Sequence, residues 1–275
     1  MVGASVSGTV ESVMQVLASG VVHVGPREAD WLVEEASRRA PSGEGAEAIA
    51  LALAARRAAG EPLQYVLGSA AFRHLELAVG PGVLVPRPET EVLVEIALER
   101  LEGESCLVDV GTGSGAIALA VKQERPDAQV WATDDSAEAL RYARVNQARL
   151  GLDVAILHGE LLDSLPRALR AAVDVVVSNP PYVAESERHL VAADVVAHEP
   201  HRALFAGSDG LAILRRLAVE SPTWLRPGGW LVCEVGHNQA KAVTKLFETS
   251  GYVEITVHED LAGHARIVAG RKQVG

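Results

Sequence analysis

Cysteine, aromatic side chains and positive charge are all scarce in this sequence of 275 residues. Two cysteines occur, Cys106 and Cys233, each set in an apolar run. That number and spacing exclude a disulfide framework and a cysteine-rich metal site, so both thiols are expected to be buried and free, and no metal is expected. Lysine and arginine total 25 against 36 aspartates and glutamates, a net charge of −11. Duplex-DNA binding draws on phosphate neutralisation by a basic face, so this balance argues against a stable nucleic-acid partner. The pairs Arg38-Arg39, Arg56-Arg57 and Arg215-Arg216 read as solvated helix faces. No apolar stretch has membrane-spanning length and the N-terminus is not signal-like, so a cytoplasmic protein without a membrane partner is expected. With aromatics at 4%, each needs its own explanation. Phe72 and Tyr182 are expected near a substrate; Trp31, Trp131, Phe205, Trp224 and Trp230 are assigned to packing.

What is present is apolar and ordered by period. Hydrophobic residues make up 48% and charged residues 22%, ordinary for a globular chain long enough for a doubly wound domain and a small extra one. Residues 1–60 are helical in pattern: Val10 to Leu17, Pro26 to Arg39 with proline at the helix start, and Ala46 to Ala59 closed by Gly60. They are expected to form a small helical domain. Residues 61–87 form a connector, where Leu75, Leu77 and Val79 alternate with polar positions and Gly80-Pro81-Gly82 turns the chain into Val83-Leu84-Val85, a β-hairpin signal. Residues 88–275 alternate helices with apolar strands at 106–110, 129–134, 153–158, 173–178 and 230–235. A final antiparallel pair follows at 252–258 and 264–270. This is the α/β pattern of a Rossmann-like, mostly parallel seven-stranded sheet with helices on both faces.

Three strand tips carry polar signals. After 106–110 comes Gly111-Thr112-Gly113-Ser114-Gly115 and then a helix, a turn in which backbone can approach a ligand closely. Ala116 stands where the dinucleotide fingerprint would place its third glycine. The strand 129–134 ends in Asp134, an acidic tip of the kind that accepts from ribose hydroxyls. The strand 173–178 ends in Asn179-Pro180-Pro181-Tyr182. Each proline fixes φ, extends the preceding residue and removes an N–H. The Asn179 amide and the local carbonyls then face the space beyond the sheet edge, suited to gripping the hydrogens of a planar amide or amino group, with Tyr182 as a flat wall. Asp109 is read as orienting the glycine turn. His158, His198, His201 and His237 read as surface or structural.

Asp-x-Gly-x-Gly-x-Gly, an acidic second tip and Asn-Pro-Pro-Tyr in that order resemble the class I S-adenosylmethionine-dependent amino-methyltransferases. Gly60-Glu61-Pro62-Leu63-Gln64-Tyr65, Pro86-Arg87-Pro88-Glu89-Thr90-Glu91, Glu199-Pro200-His201-Arg202 and Asp209-Gly210-Leu211 narrow this. With them the chain resembles, over roughly residues 10 to 270, the protein-(glutamine-N5) methyltransferases that modify peptide-chain release factors. The resemblance implies S-adenosyl-L-methionine as cofactor, held by Gly111, Thr112, Gly113, Ser114 and Gly115 at its methionine part, by Asp134 at its ribose and by Glu160 and Leu161 at its adenine, with Asn179 also in contact. Many relatives have Asp at position 160. It also implies that Asn179, Pro180 and Tyr182 act in catalysis and that Pro181 and Phe72 join them in binding substrate. The partner implied is a class I release factor whose Gly-Gly-Gln loop delivers the glutamine, gripped by residues 1–60; a monomer is expected.

The chemistry expected is direct methyl transfer to a side-chain amide nitrogen, with the Asn179 oxygen and the Pro180 carbonyl accepting its hydrogens. No prior general base is required. A glutamine methyltransferase of a ribosomal protein, a nucleic-acid amino-methyltransferase and a non-catalytic module with the same fold remain as alternatives.

Overall fold

The computed structural model describes residues 2–20, 25 and 27–274. Three helices come first: α1 (Val2–Ala18), α2 (Glu28–Arg39) and α3 (Ala46–Ala58). Pro26, expected to open the second, lies outside the described residues. Acidic Glu28 and Asp30 in its first turn and Arg38 and Arg39 in its last complement the helix dipole. The helices close on a core of Val13, Leu17, Leu32, Ala36, Leu53 and Ala54. Across it the buried Arg57 Nε donates to Glu28 Oε2 at 2.7 Å. The bundle continues into α4 (Leu63–Leu67), closed by Gly68 at φ 79°.

The hairpin lies earlier than the sequence pattern suggests. β1 (Ser69–Phe72) pairs antiparallel with β2 (Leu75–Ala78), and the turn is at Arg73, with φ 50°, and His74. Gly80-Pro81-Gly82 does turn the chain, but Val83 to Val85 join no strand. Val83 and Val85 alternate because both are buried at 1% exposure, beneath Tyr65, whose hydroxyl donates to the Val83 carbonyl. Burial, not pairing, made that alternation. Phe72 is also corrected. It is 1% exposed in the core with Leu75, Leu77 and Leu93, on the inward face of the hairpin, and lines no cavity at the sheet edge.

The rest is α5 (Glu89–Glu99), β3 (Cys106–Val110), α6 (Ala116–Glu124), β4 (Gln129–Asp134), α7 (Ala137–Leu150), β5 (Ala155–His158), β6 (Val173–Ser178), α8 (Ala193–His198), α9 (His201–Leu204), α10 (Ala212–Glu220), β7 (Leu225–Glu234), α11 (Ala240–Thr249), β8 (Tyr252–Glu259) and β9 (Ala265–Lys272). The seven-stranded sheet has the order β5-β4-β3-β6-β7-β9-β8. β3, β4, β5, β6 and β7 are mutually parallel, and β9 is antiparallel to both β7 and β8. β5 starts two residues later than expected, and β7 starts five residues earlier, running through Pro227-Gly228-Gly229 by way of a register shift opposite Val173 and Val175.

Neighbouring residues on each central strand enter opposite cores, as the strand period requires. Leu107, Val175 and Val232 face α5 and α6, with Ile117, Leu119 and Leu93. Val108, Val176 and Leu231 face α10 and α11, with Leu214, Val243 and Phe247. Both cysteines are buried and free; burial pushes the Cys106 thiol up to about 11. No described helix is long and apolar enough to cross a membrane.

Candidate active site

The strand order reverses between β3 and β6, since β4 lies to one side of that pair and β7 to the other. Open α/β sheets form their ligand crevice beyond the carboxyl ends at such a point. Ser178 Oγ donates to the Val110 carbonyl at 2.7 Å, closing the two strand ends together just below the crevice.

On the β3 side, the glycine loop is tied to the tip of β4. Gly111 N and Thr112 N donate to the Thr133 carbonyl at 2.8 and 3.0 Å, and Gly113 N donates to Asp134 Oδ2 at 2.9 Å. Asp134 Oδ1 accepts from Ser136 N at 2.8 Å, which begins α7. Burial raises the Asp134 carboxyl above the ordinary carboxylate range, against the lowering by those two backbone donors. Asp109 is fully buried beneath the loop. Its Oδ2 accepts from Thr112 Oγ1 at 2.6 Å and from Ala118 N at 3.1 Å, so it shapes the turn and the first turn of α6. Burial pushes its carboxyl up to about 7. Gly115 is required by packing as well: a Cβ there would lie 2.9 Å from Leu119 Cδ1.

On the β6 side, Asn179 Nδ2 donates to Thr90 Oγ1 at 2.9 Å. Thr90 Oγ1 donates to Glu234 Oε2 at 2.7 Å, and the Tyr182 hydroxyl donates to Glu234 Oε1 at 3.3 Å. Glu234 is 1% exposed at the end of β7. Burial pushes its carboxyl up to about 7, against the lowering by the two hydroxyls. Burial and then the Glu234 charge raise the Tyr182 hydroxyl well above its ordinary value. The Tyr182 carbonyl accepts from Gln239 Nε2 at 2.7 Å.

Three adjoining cavities occupy this edge. The first, open to solvent, takes in Gly111 to Ser114, Asp134, Asn179 and Pro181, with Thr90 and Arg87. The second lies against Asn179, Pro180 and Tyr182, with Val191 and Val195 opposite. The third contains Gly111, Asp134, Glu160, Leu161, Pro180 and Pro181. Glu160 is ion-paired with Arg216 on α10, and Leu161 holds its carbonyl on Thr133 Oγ1 at 2.7 Å. The segment from Ala184 to Leu204 folds over the second cavity as a flap. It leaves and returns beside Val183, whose N–H donates to the Leu204 carbonyl at 2.9 Å and whose carbonyl accepts from Ala206 N at 3.0 Å. Arg87 Nη2 donates to Glu199 Oε1 at 2.6 Å, and Glu199 is buried at 5%. Arg202 pairs with Asp135 across the first cavity. No histidine among the described residues lines the three cavities, and no group of described residues could hold a metal ion.

Comparison with known proteins agrees with this geometry. Residues 88–210 match the Methyltransferase small domain family. The release factor glutamine methyltransferase of Xylella fastidiosa (strain Temecula1) is 46% identical over 223 residues, which cover 80% of this chain and 80% of that protein. The release factor glutamine methyltransferase of Bordetella pertussis is 44% identical over 250 residues, covering 90% and 91%. The chain belongs to the release factor glutamine methyltransferase family. The crystal structure of a methyltransferase from Pyrococcus furiosus, 20% identical, covers 74% of this chain and 92% of its own with a TM-score of 0.56, which shows the shared sheet architecture.

The cofactor of a release factor glutamine methyltransferase is S-adenosylmethionine, and the residues at this edge fit it. Gly111 lies where the first and third cavities meet. A Cβ there would meet no described atom within 4 Å, so a side chain at Gly111 would occupy ligand space rather than protein. Asp134 borders both cavities and, with two lone-pair directions on each oxygen, can still accept from hydroxyls. The structure thus brings together Gly111, Thr112, Gly113, Ser114, Asp134, Glu160, Leu161, Asn179, Pro180, Pro181 and Tyr182. Gly115 stands just behind as the cap of α6. Phe72 alone of the expected residues is elsewhere. Thr90, Glu234, Arg87, Glu199 and Arg202 were not assigned roles by sequence reasoning, although Arg87, Thr90, Glu199 and Arg202 sit in motifs that carried the resemblance. The signal available was a carboxylate ending an apolar strand at Glu234.

Proposed function

We propose that this protein transfers a methyl group to the side-chain amide nitrogen, N5, of the glutamine in the Gly-Gly-Gln loop of a class I peptide-chain release factor. The observation that supports this best is the fastening of Asn179. Its Nδ2 is fastened to Thr90, so the side-chain acceptor left to the cavities is Oδ1, suited to an N–H donor. S-adenosylmethionine, when bound, supplies the methyl from a sulfonium. The glycine loop Gly111 to Gly115 would hold its methionine part, Asp134 its ribose, and Glu160 with Leu161 its adenine.

An amide nitrogen is a weak nucleophile because its lone pair is delocalised. The site acts by position: Asn179 Oδ1 and the Pro180 carbonyl accept the two amide hydrogens, fix the nitrogen and hold negative potential where positive charge develops. Pro180 and Pro181 keep that edge free of competing N–H donors. The Tyr182 ring and the flap residues Val191 and Val195 exclude water from the second cavity. The proton is lost during or after transfer, consistent with the absence of histidine among the described residues that line the three cavities.

The loop's carrier is selected outside the sheet edge. Residues 1–60 and the hairpin are the parts a stand-alone cofactor sheet does not need; α1 and α2 expose Met14 and Trp31 at 43% and 44%, apolar side chains suited to a protein surface. The test is incubation of the protein with S-adenosylmethionine and a class I release factor, followed by mass analysis of the loop peptide. A gain of one methyl group on the glutamine supports the reading. Methylation of DNA amino groups or of a ribosomal protein, with the loop peptide unmodified, overturns it.

A further inference from the structure

Glu234 is a buried carboxylate with no place in the chemistry above. Enclosing a charge is costly unless its bonds are made, and an apolar residue could fill the same end of β7. Both its oxygens are used, one by Thr90 from α5 and one by Tyr182 from the tip after β6. Thr90 is 4% exposed, and its oxygen also receives Asn179 Nδ2.

We propose that Thr90 and Glu234 are positioning residues that fix which way round the Asn179 amide stands, and so make the site a receiver of amide N–H groups. The two ends of an asparagine amide are nearly equal in size, and only hydrogen-bond partners distinguish them. An ionised carboxylate accepts and cannot donate. It therefore takes the single Thr90 proton, which leaves Thr90 Oγ1 only lone pairs to offer Asn179. Those lone pairs require a donor, so Nδ2 faces Thr90 and Oδ1 faces the cavity. Turning the amide over would set Oδ1 against Thr90 Oγ1 with no proton between them. Direction thus passes from Glu234 through Thr90 to Asn179, between residues 144 and 89 positions apart. The second Glu234 oxygen holds the Tyr182 hydroxyl, so one carboxylate orients both polar members of the tip. The charged groups that act on Glu234 are Arg266 on β9 and Glu89 on α5, with Arg87 acting on Tyr182. The near-neutral titration of Glu234 places this polarity within reach of ordinary pH.

This inference rests on the proposed amide transfer, and its test separates the two. Wild-type protein, Thr90→Val, Thr90→Ser and Glu234→Gln are each given the release factor and S-adenosylmethionine. The cofactor dissociation constant is measured by calorimetry beside kcat and KM. Thr90→Val keeps the shape and deletes the relay; Thr90→Ser keeps the relay. Expected is a fall in kcat of about ten- to a hundredfold in Thr90→Val, cofactor affinity within about threefold of wild type, and recovery of most of the turnover in Thr90→Ser. Glu234→Gln, whose amide can donate as well as accept, should fall in kcat likewise. Wild-type kcat in Thr90→Val or in Glu234→Gln overturns the inference, as does a Thr90→Ser no better than Thr90→Val. If only one of Thr90→Val and Glu234→Gln binds cofactor, that one decides. If neither folds, the pair bears the fold rather than the orientation, and the inference fails. Failure of the wild type to methylate the loop overturns the proposed function instead.

Discussion

Gly210 stands directly against the carbonyl of Tyr182: a Cβ at Gly210 would collide with that oxygen and lie 2.6 Å from Gln239 Nε2. The Tyr182 carbonyl is in turn held by Gln239, whose Oε1 accepts from Gly236 N at 2.9 Å. The Asp209-Gly210 turn is thus a backstop for the Asn-Pro-Pro-Tyr tip.

Gly210→Ala should therefore damage the tip from behind. Its φ of 72° already disfavours a side chain, and the obstacle is backbone that cannot swing away. A loss of about 2–4 kcal/mol of stability is expected, read by urea unfolding, with turnover falling further than cofactor affinity. Unchanged turnover in a folded Gly210→Ala variant would disconnect the turn from the site.

Asn179→Ala should leave the sheet folded and the cofactor bound while methyl transfer falls by at least about a hundredfold, the scale of one preorganised polar group. Comparison of single-turnover rate with calorimetric affinity checks it. Tyr182→Phe keeps the ring but frees Glu234 Oε1 from its partner at 3.3 Å. A loss of about three- to tenfold is expected, matching one neutral-to-charged hydrogen bond of long geometry.

Asp134→Ala should weaken S-adenosylmethionine by roughly ten- to a hundredfold. The carboxylate contributes twice, by bordering both cavities and by holding Gly113 N and Ser136 N. Calorimetric titration that found wild-type affinity would remove Asp134 from the cofactor site.

Stability and activity should respond to pH in opposite directions. Asp109 and Glu234 each titrate at about 7 in the folded protein, above the ordinary carboxylate range, so below 7 the folded state binds protons that the unfolded state does not. Stability then rises as pH falls from about 7 towards 4, by up to about 1.4 kcal/mol per pH unit for each group. Turnover should fall over the upper part of that range, as Glu234 gains a proton. Melting temperatures and kcat measured between pH 5.5 and 8.5 decide this. Glu234→Gln and Asp109→Asn should each flatten the stability slope, and parallel trends in the wild type would contradict the assignment.

The central strands were readable because their middles are buried on both faces, so β3, β4 and β6 appear in the sequence as mainly apolar runs with polar ends, broken within β3 and β6 only by Asp109 and Asp174. The hairpin was misread because Val83 and Val85 are spaced like a strand for a different reason, the filling of space beneath Tyr65. Phe72 was drawn towards the substrate by the scarcity of aromatics, whereas the inward face of β1 claims it for the core. The strand tips themselves announced Asp134 and Asn179. What joins Asn179 to Thr90 and Glu234 left no local trace, because three residues far apart in the chain meet only through the sheet order. A glutamate after an apolar strand looks like any solvated strand end until its burial is known.

The flap from Ala184 to Leu204 departs and returns beside Val183 and contributes no residue to any strand, being held to the body further out by Glu199 and Arg202. Its length and composition can change without altering any strand register. The flap is therefore an exchangeable cassette: relatives can be given a different acceptor chamber by transplanting one stretch of chain between Val183 and Phe205, with Glu199 and Arg202 retained as its two fasteners to Arg87 and Asp135.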